Sequence, residues 1–168
     1  MTLNELNTCN NKLAFTWFNQ CCAADTWCQS MLAKRPFASL EALAKTAEQT
    51  WAECNDTDYL QAFEGHPMIG DVASLRKKYA STQGLASHEQ SGVQGADEAT
   101  LTALHALNQK YLAKHGFIFI ICATGLSAQA MLDALRQRFD HDTATEIELA
   151  ALEQLKITLL RIHKGLAE

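Results

Sequence analysis

The sequence predicts an all-α protein, a single-domain compact bundle of about eight to nine helices spanning residues 1–168. Three observations carry this. Apolar residues recur at helical spacing along most of the chain. Helix-start signatures precede these stripes at regular intervals. Only two prolines and eight glycines interrupt 168 residues, so long helices meet few breaks.

The elements follow in order. Thr2 and Glu5 have capping-box spacing, and a second apolar stretch, Leu13 to Cys22, forms the first substantial helix. Asp25 is placed to cap a segment running through Met31 and Leu32, which Pro36 must follow rather than continue. Ser39 opens a cleaner helix whose stripe is Leu40, Leu43, Ala44, Ala47 and Trp51. A short piece around Tyr59, Leu60 and Phe63 ends at Gly65, and Val72, Leu75 and Tyr79 mark another helix. The stretch "STQGLASHEQSGVQGAD" is polar and Gly-rich and reads as a break, although Ser87 and Gln90 have capping-box spacing within it. Asp97 is placed to cap a long helix with the stripe Leu101, Leu104, Leu107, Tyr111 and Leu112, ended by Gly116. Ser127 starts a helix through Met131, Leu132, Leu135 and Phe139. Thr143 and Glu146 open the longest one, whose Leu152, Leu155, Leu159, Ile162 and Leu166 make a seam for the core or for a second subunit.

One run resists this scheme. "FIFIICA" alone reads as a buried strand, yet nothing else in the chain offers a partner strand. An unpaired strand leaves backbone donors and acceptors without partners. The run is therefore either buried helix or an extended segment whose backbone groups face a ligand.

Composition narrows the function classes. Hydrophobic residues make up 48% and charged residues 20%, as in a folded globular protein. A net charge of −5, without a run of Lys or Arg, argues against nucleic acid or an anionic membrane as the main partner. The start "MTLNELNTCNNK" lacks a basic stretch followed by an apolar core, so no export signal is expected, and no apolar run is long enough to span a bilayer. The six cysteines are expected to be reduced thiols of a cytoplasmic protein, since Cys21 and Cys22 are adjacent and the chain needs no staples. There is no C-x-x-C pair and no His at ligand spacing beside a Cys, so no zinc site is expected.

Three positions suggest chemistry. His66 lies between Gly65 and Pro67, where regular structure cannot pass, so its imidazole sits in a defined corner. Glu89 and Gln90 fall at a helix start, where free N–H groups and the helix dipole gather. Arg161, late in the last helix, lies about 200° from Leu159, off the Leu seam and on a row with Ile157 and Gln154. It is either a snorkelling surface residue or a buried anion clamp. Each has an ordinary explanation too: a turn histidine, a dipole-compensating glutamate, a C-terminal arginine. His88, His105, His115, His141 and His163 carry weaker signals.

The segments "CCAADTWCQSMLAKRPF", "AFEGHPMIGD", "SHEQSGV", "LNQKYLAKHGFIFIICATG" and "ELAALEQLKITLLRI" occur in this order and span most of the chain. Together they resemble the OHCU decarboxylase family, whose members convert 2-oxo-4-hydroxy-4-carboxy-5-ureidoimidazoline into (S)-allantoin. The resemblance implies an all-α fold, usually a homodimer, that works on this small molecule with no metal or organic cofactor. It also implies catalytic roles for His66, Glu89 and Arg161. Substrate contacts are implied for Pro67, Ala86, Ser87 and Gln90, and for the backbone of Phe119, Ile120, Ile121, Cys122 and Ala123. The family often has Ser three residues before the Glu; here that residue is Ala86 and Ser87 follows it, so a backbone contact survives more readily than a side-chain one. Two other classes stay open: a helical binding or adaptor protein with a dead site, and a metal-dependent hydrolase using Cys and His.

Overall fold

The computed structural model describes residues 1–66 and 94–166. Among these residues there are eight helices and no strand. They are α1 (Leu3–Thr8), α2 (Asn11–Cys21), α3 (Asp25–Ala33), α4 (Leu40–Ala52), α5 (Asp56–Glu64), α6 (Gln94–His115), α7 (Ala128–Phe139) and α8 (Thr143–Gly165). The all-α expectation holds. The helix expected around Val72, Leu75 and Tyr79, and the Ser87 start, lie outside the described residues.

The chain divides into two compact units, Met1–His66 with Ile147–Glu168, and Pro67–Glu146. In the first, α1 to α5 are set by local caps. Thr2 and Glu5 form the expected capping box, and Ser39 accepts from the Ala42 N–H. Asn10 and Asn55 cap α2 and α5 in the same manner. Asp25, by contrast, is the first residue of α3 rather than its cap, and its N–H donates to Gln61 Oε1 at 2.9 Å. A side chain on α5 has taken the role assigned to a local one.

The core of this unit is aromatic. Phe18 makes edge-to-face contacts with Trp17, Trp27 and Phe37, at centroid distances of 5.4, 5.9 and 6.3 Å. Buried indoles need a partner for their N–H. Trp27 donates to the Ala47 carbonyl at 3.2 Å and Trp51 to the Ala151 carbonyl at 2.9 Å, tying α3 to α4 and α4 to α8. Arg35 holds the α1–α2 junction, donating to the Leu6 and Cys9 carbonyls at 2.7 and 3.1 Å and to Asn11 Oδ1 at 2.7 Å.

Gly65 closes α5 with ordinary right-handed angles, φ −69° and ψ −7°. Its backbone freedom is therefore not what the site needs. A Cβ there would stand 2.5 Å from the Ala23 Cβ, so glycine is required by close approach. Gly65→Ala is expected to destabilise the protein by about 1–3 kcal/mol through overpacking. A thermal melt followed by circular dichroism should show a loss of several degrees; an unchanged midpoint would mean the neighbouring backbone yields freely.

In the second unit α6 packs on α7. The α6 helix begins at Gln94, so Asp97 lies inside it rather than capping it. Its buried stripe is Leu101, Leu104, Asn108, Tyr111 and His115, and Gly116 ends it at φ +81°, a value that favours glycine. Ser127 caps α7 as expected, and Met131, Leu132 and Leu135 are buried. Between the two helices, Phe117 to Ala123 is neither helix nor strand, which excludes the buried-helix alternative.

The α8 helix departs from its Leu pattern. Leu152 is 58% exposed, whereas Glu146, Ala150, Gln154, Thr158 and Ile162 are buried. Its start is capped by Asp142, whose Oδ1 accepts from the Thr145 N–H at 2.8 Å, not by Thr143. The buried row contains three polar side chains, Glu146, Gln154 and Thr158, and of the Leu seam it takes in Ile162 alone. Hydrogen bonds within each unit explain why.

Candidate functional site

In the first unit, the C-terminal end of α5 delivers His66. The His66 N–H donates to the Phe63 carbonyl at 3.1 Å, which ties the residue to the end of the helix. Its Nε2 lies 2.5 Å from Gln154 Oε1. The Thr158 hydroxyl donates to the Gln154 backbone carbonyl at 2.9 Å, leaving its oxygen to accept from Gln154 Nε2 at 3.1 Å. That orients the Gln154 amide with its oxygen toward His66.

The charge state of His66 follows from its surroundings. Burial favours the neutral ring, the hydrogen bond to Gln154 opposes this, and the Arg161 charge adds to burial. The net direction is below the ordinary histidine value. Near neutral pH the imidazole is an uncharged base.

Arg161 is half-buried rather than extended over the surface. Its Nη1 donates to the Cys21 carbonyl at 3.2 Å and the Gln20 carbonyl at 3.4 Å, at the negative end of the α2 dipole. Among the described residues no carboxylate lies within ion-pair distance of it. Burial pushes the Cys21 and Cys22 thiols up to about 12 and about 11, which keeps them protonated and poor nucleophiles. All six cysteines are free thiols.

The second unit positions the Phe119–Ala123 run. Phe119 and Ile120 are buried, while Ile121, Cys122 and Ala123 are half-buried. The Ile120 carbonyl accepts from Arg138 Nη1 at 2.8 Å, and the Arg138 guanidinium lies over the Phe119 ring at 4.6 Å. Arg138 in turn pairs with Glu146, with Nε and Nη2 at 2.9 and 2.8 Å from Oε2. Tyr111 donates its hydroxyl to the same carboxylate, and His141 Nδ1 is 2.8 Å from its other oxygen. Burial alone would raise the Glu146 carboxyl, but these three partners hold it below the usual range. The Ala123 carbonyl accepts from the Leu126 N–H at 3.1 Å. A buried ion pair thus fixes one carbonyl of the run and a turn fixes another.

His66 and Arg161 therefore belong to one unit, and Phe119, Ile120, Ile121, Cys122 and Ala123 to the other. Pro67, Ala86, Ser87, Glu89 and Gln90 lie outside the described residues. The sequence reading missed Gln154, Thr158, Arg138 and Tyr111. Gln154 and Thr158 did leave a signal, two polar residues four apart on a Leu-rich helix and on the row of Arg161. Arg138 left none. Among the described residues, no cluster of three or more His, Cys, Asp or Glu side chains has metal-holding geometry. Nor is any described helix long and apolar enough to cross a membrane.

Comparison with known proteins places the chain in a family. The model of the family "OHCU decarboxylase" matches residues 7–163. The chain belongs to the OHCU decarboxylase family. It is 35% identical over 144 residues to the uric acid degradation bifunctional protein TTL of Arabidopsis thaliana, an alignment covering 86% of this chain and 44% of the plant protein. It is 24% identical over 163 residues to the 2-oxo-4-hydroxy-4-carboxy-5-ureidoimidazoline decarboxylase of Haloferax volcanii, covering 96% and 94%. Its fold superposes with a TM-score of 0.72 on a crystal structure of OHCU decarboxylase in the presence of (S)-allantoin, at 32% identity over 92% of this chain and 99% of that one. The chain spans less than half the length of the plant relative.

Proposed function

We propose that this protein decarboxylates 2-oxo-4-hydroxy-4-carboxy-5-ureidoimidazoline to (S)-allantoin and CO2 with its own side chains and backbone, needing no metal or organic cofactor. The observation that carries the reading is the family match across residues 7–163. The uncharged, anchored imidazole of His66 supports it chemically. We read residues 1–168 as one domain of this family, acting as a homodimer in the cytoplasm.

Cleavage of the bond to the carboxylate releases CO2 and leaves an electron pair on the ring carbon that bore the hydroxyl. That pair delocalises into the adjacent C=N bond, whose nitrogen takes one proton from solvent. The resulting enol loses its O–H proton, and the neighbouring carbon gains a proton on one face, giving the carbonyl of the product. A neutral imidazole performs both halves of this last transfer, accepting the enol proton and returning it to carbon. His66 is assigned that role. Arg161 pairs with the substrate's negative charge. Glu89 hydrogen-bonds the ring hydroxyl or ureido N–H groups. Pro67, Ala86, Ser87, Gln90 and the backbone of Phe119–Ala123 hold the ureido and amide edges, with the Ile120 carbonyl already occupied by Arg138.

The test uses substrate labelled with 13C in its carboxyl group and followed by NMR. The label should enter CO2 and bicarbonate at a rate proportional to protein concentration. A rate independent of the protein would leave only spontaneous decay, and a helical binding protein.

Two consequences are specific. Because the folded environment lowers the His66 pKa from 6.5, the acid limb of kcat/KM should fall below that value, activity being kept while the ring is neutral and lost as pH drops through the lowered value. An acid limb above 6.5 would assign it to another group. Arg161→Lys should raise KM about tenfold, the loss of one charge-assisted hydrogen bond of about 1.5 kcal/mol, because an ammonium cannot reproduce the guanidinium fork. Unchanged KM would leave Arg161 as a clamp on the end of α2 alone.

A further inference from the structure

We infer that Gln154 is a positioning residue that fixes the tautomer of His66, placing the proton on Nε2 and leaving Nδ1 as the atom that transfers protons in the reaction. The inference rests on the proposed acid–base role of His66. Its structural part is independent of that role.

The hydrogen bonds around Gln154 assign the protons in sequence, starting from the Thr158 hydroxyl. Thr158 Oγ1 is 2.9 Å from the Gln154 carbonyl, an acceptor only, so the hydroxyl proton is spent there. The Thr158 oxygen can then only accept from the Gln154 side chain, which must present its NH2 group at 3.1 Å. Gln154 Oε1 consequently faces His66 and has no proton to give. A contact of 2.5 Å between Oε1 and Nε2 requires a hydrogen between them, and only the ring can supply it. Neutral His66 thus carries its proton on Nε2 and its lone pair on Nδ1.

Gln154 and Thr158 are 0% and 2% exposed, so water does not compete for these bonds. A glutamine serves here where a carboxylate would not. It accepts the N–H without stabilising the imidazolium as an anion does, so the ring stays neutral beside Arg161. The choice of an amide and the lowered pKa of His66 therefore have the same consequence. The anchored nitrogen cannot reach substrate without breaking its bond to Gln154. The opposite nitrogen is the one left to act.

The experiment combines long-range 1H–15N correlation spectra of 15N-histidine-labelled protein with steady-state kinetics on the parent, Gln154→Leu and Gln154→Glu. The parent should show His66 as a single Nε2–H tautomer near neutral pH. Gln154→Leu should show mixed tautomers and lose kcat by up to about a hundredfold, at the low end of what a positioned acid–base group contributes, with little change in KM. Gln154→Glu keeps the acceptor, so it should retain the Nε2–H tautomer and recover part of kcat, with the acid limb of the pH profile moved upward by the new negative charge. A parent spectrum with the proton on Nδ1 overturns the inference. So does a Gln154→Leu protein with the parental tautomer and kcat. His66→Ala with parental turnover removes the acid–base role of His66 but leaves the tautomer result standing, so the two readings fail separately.

Discussion

His66→Ala should abolish stereospecific turnover, with kcat falling by about 10²–10⁴-fold, the usual contribution of a positioned acid–base group. The fold should survive. His66 sits at the end of α5, half-buried, and the substitution removes one side-chain hydrogen bond to Gln154. The cost is on the order of 1–3 kcal/mol, mostly from leaving the Gln154 carbonyl oxygen unpaired. Far-ultraviolet dichroism should therefore match the parent while activity is lost. Any uncatalysed reaction remaining in this variant should yield racemic product, since no imidazole then selects a face. The (S) excess is a more telling readout than rate alone. Parental rate and parental enantiomeric excess in His66→Ala would remove the imidazole from the mechanism.

The largest stability effect is expected at Arg138. Arg138→Ala leaves Glu146, which is 0% exposed, without its principal counter-charge. Removing one partner of a buried ion pair typically costs about 3–5 kcal/mol. At this chain length that is a drop in melting temperature on the order of 10 °C. The sign of the pH dependence follows from Glu146. Its folded pKa is held below 4.5, so its contribution is fully present above that value and is lost as pH falls through the lowered one. The parent should lose stability on that acid slope, and Arg138→Ala should show a shallower slope. A double variant, Arg138→Met with Glu146→Leu, leaves no unpaired charge and should regain part of the lost stability. It should not regain activity, because the Ile120 carbonyl has still lost the donor that fixes it. A double variant with full activity would show that the run needs no such anchor.

The helical layout was legible because its information is local. Thr2 with Glu5, Ser39, Gly116 and Ser127 each act within one turn of the residue they cap or end, and the sequence signal is the structural one. The displaced caps share a cause. Asp25 lost its role to Gln61, thirty-six residues away, and Thr143 lost its role to the neighbouring Asp142. Local spacing cannot distinguish two adjacent candidate caps, nor see an acceptor on another helix.

The candidate site was legible in part. His66 stood out through its Gly-His-Pro setting, although Gly65 proved necessary for its proximity to Ala23 rather than for unusual angles. The interior face of α8 does not follow from apolar periodicity, which marks the Leu seam for the core or a second subunit, because the buried Gln154 and Thr158 are admitted by hydrogen bonds. Their partner, His66, is 88 residues distant. No periodicity carries that pairing. The same holds for Arg138, whose three attachments, to Glu146, the Ile120 carbonyl and the Phe119 ring, are all tertiary.

The proposed enzyme must both accelerate decarboxylation and set the configuration of the product. The most direct measurement is circular dichroism of freshly generated 2-oxo-4-hydroxy-4-carboxy-5-ureidoimidazoline, with and without the protein, in the presence of chelator. A fast rise of the (S)-allantoin signal is expected only in the cuvette containing protein. Slow, signal-free decay in both cuvettes would contradict it.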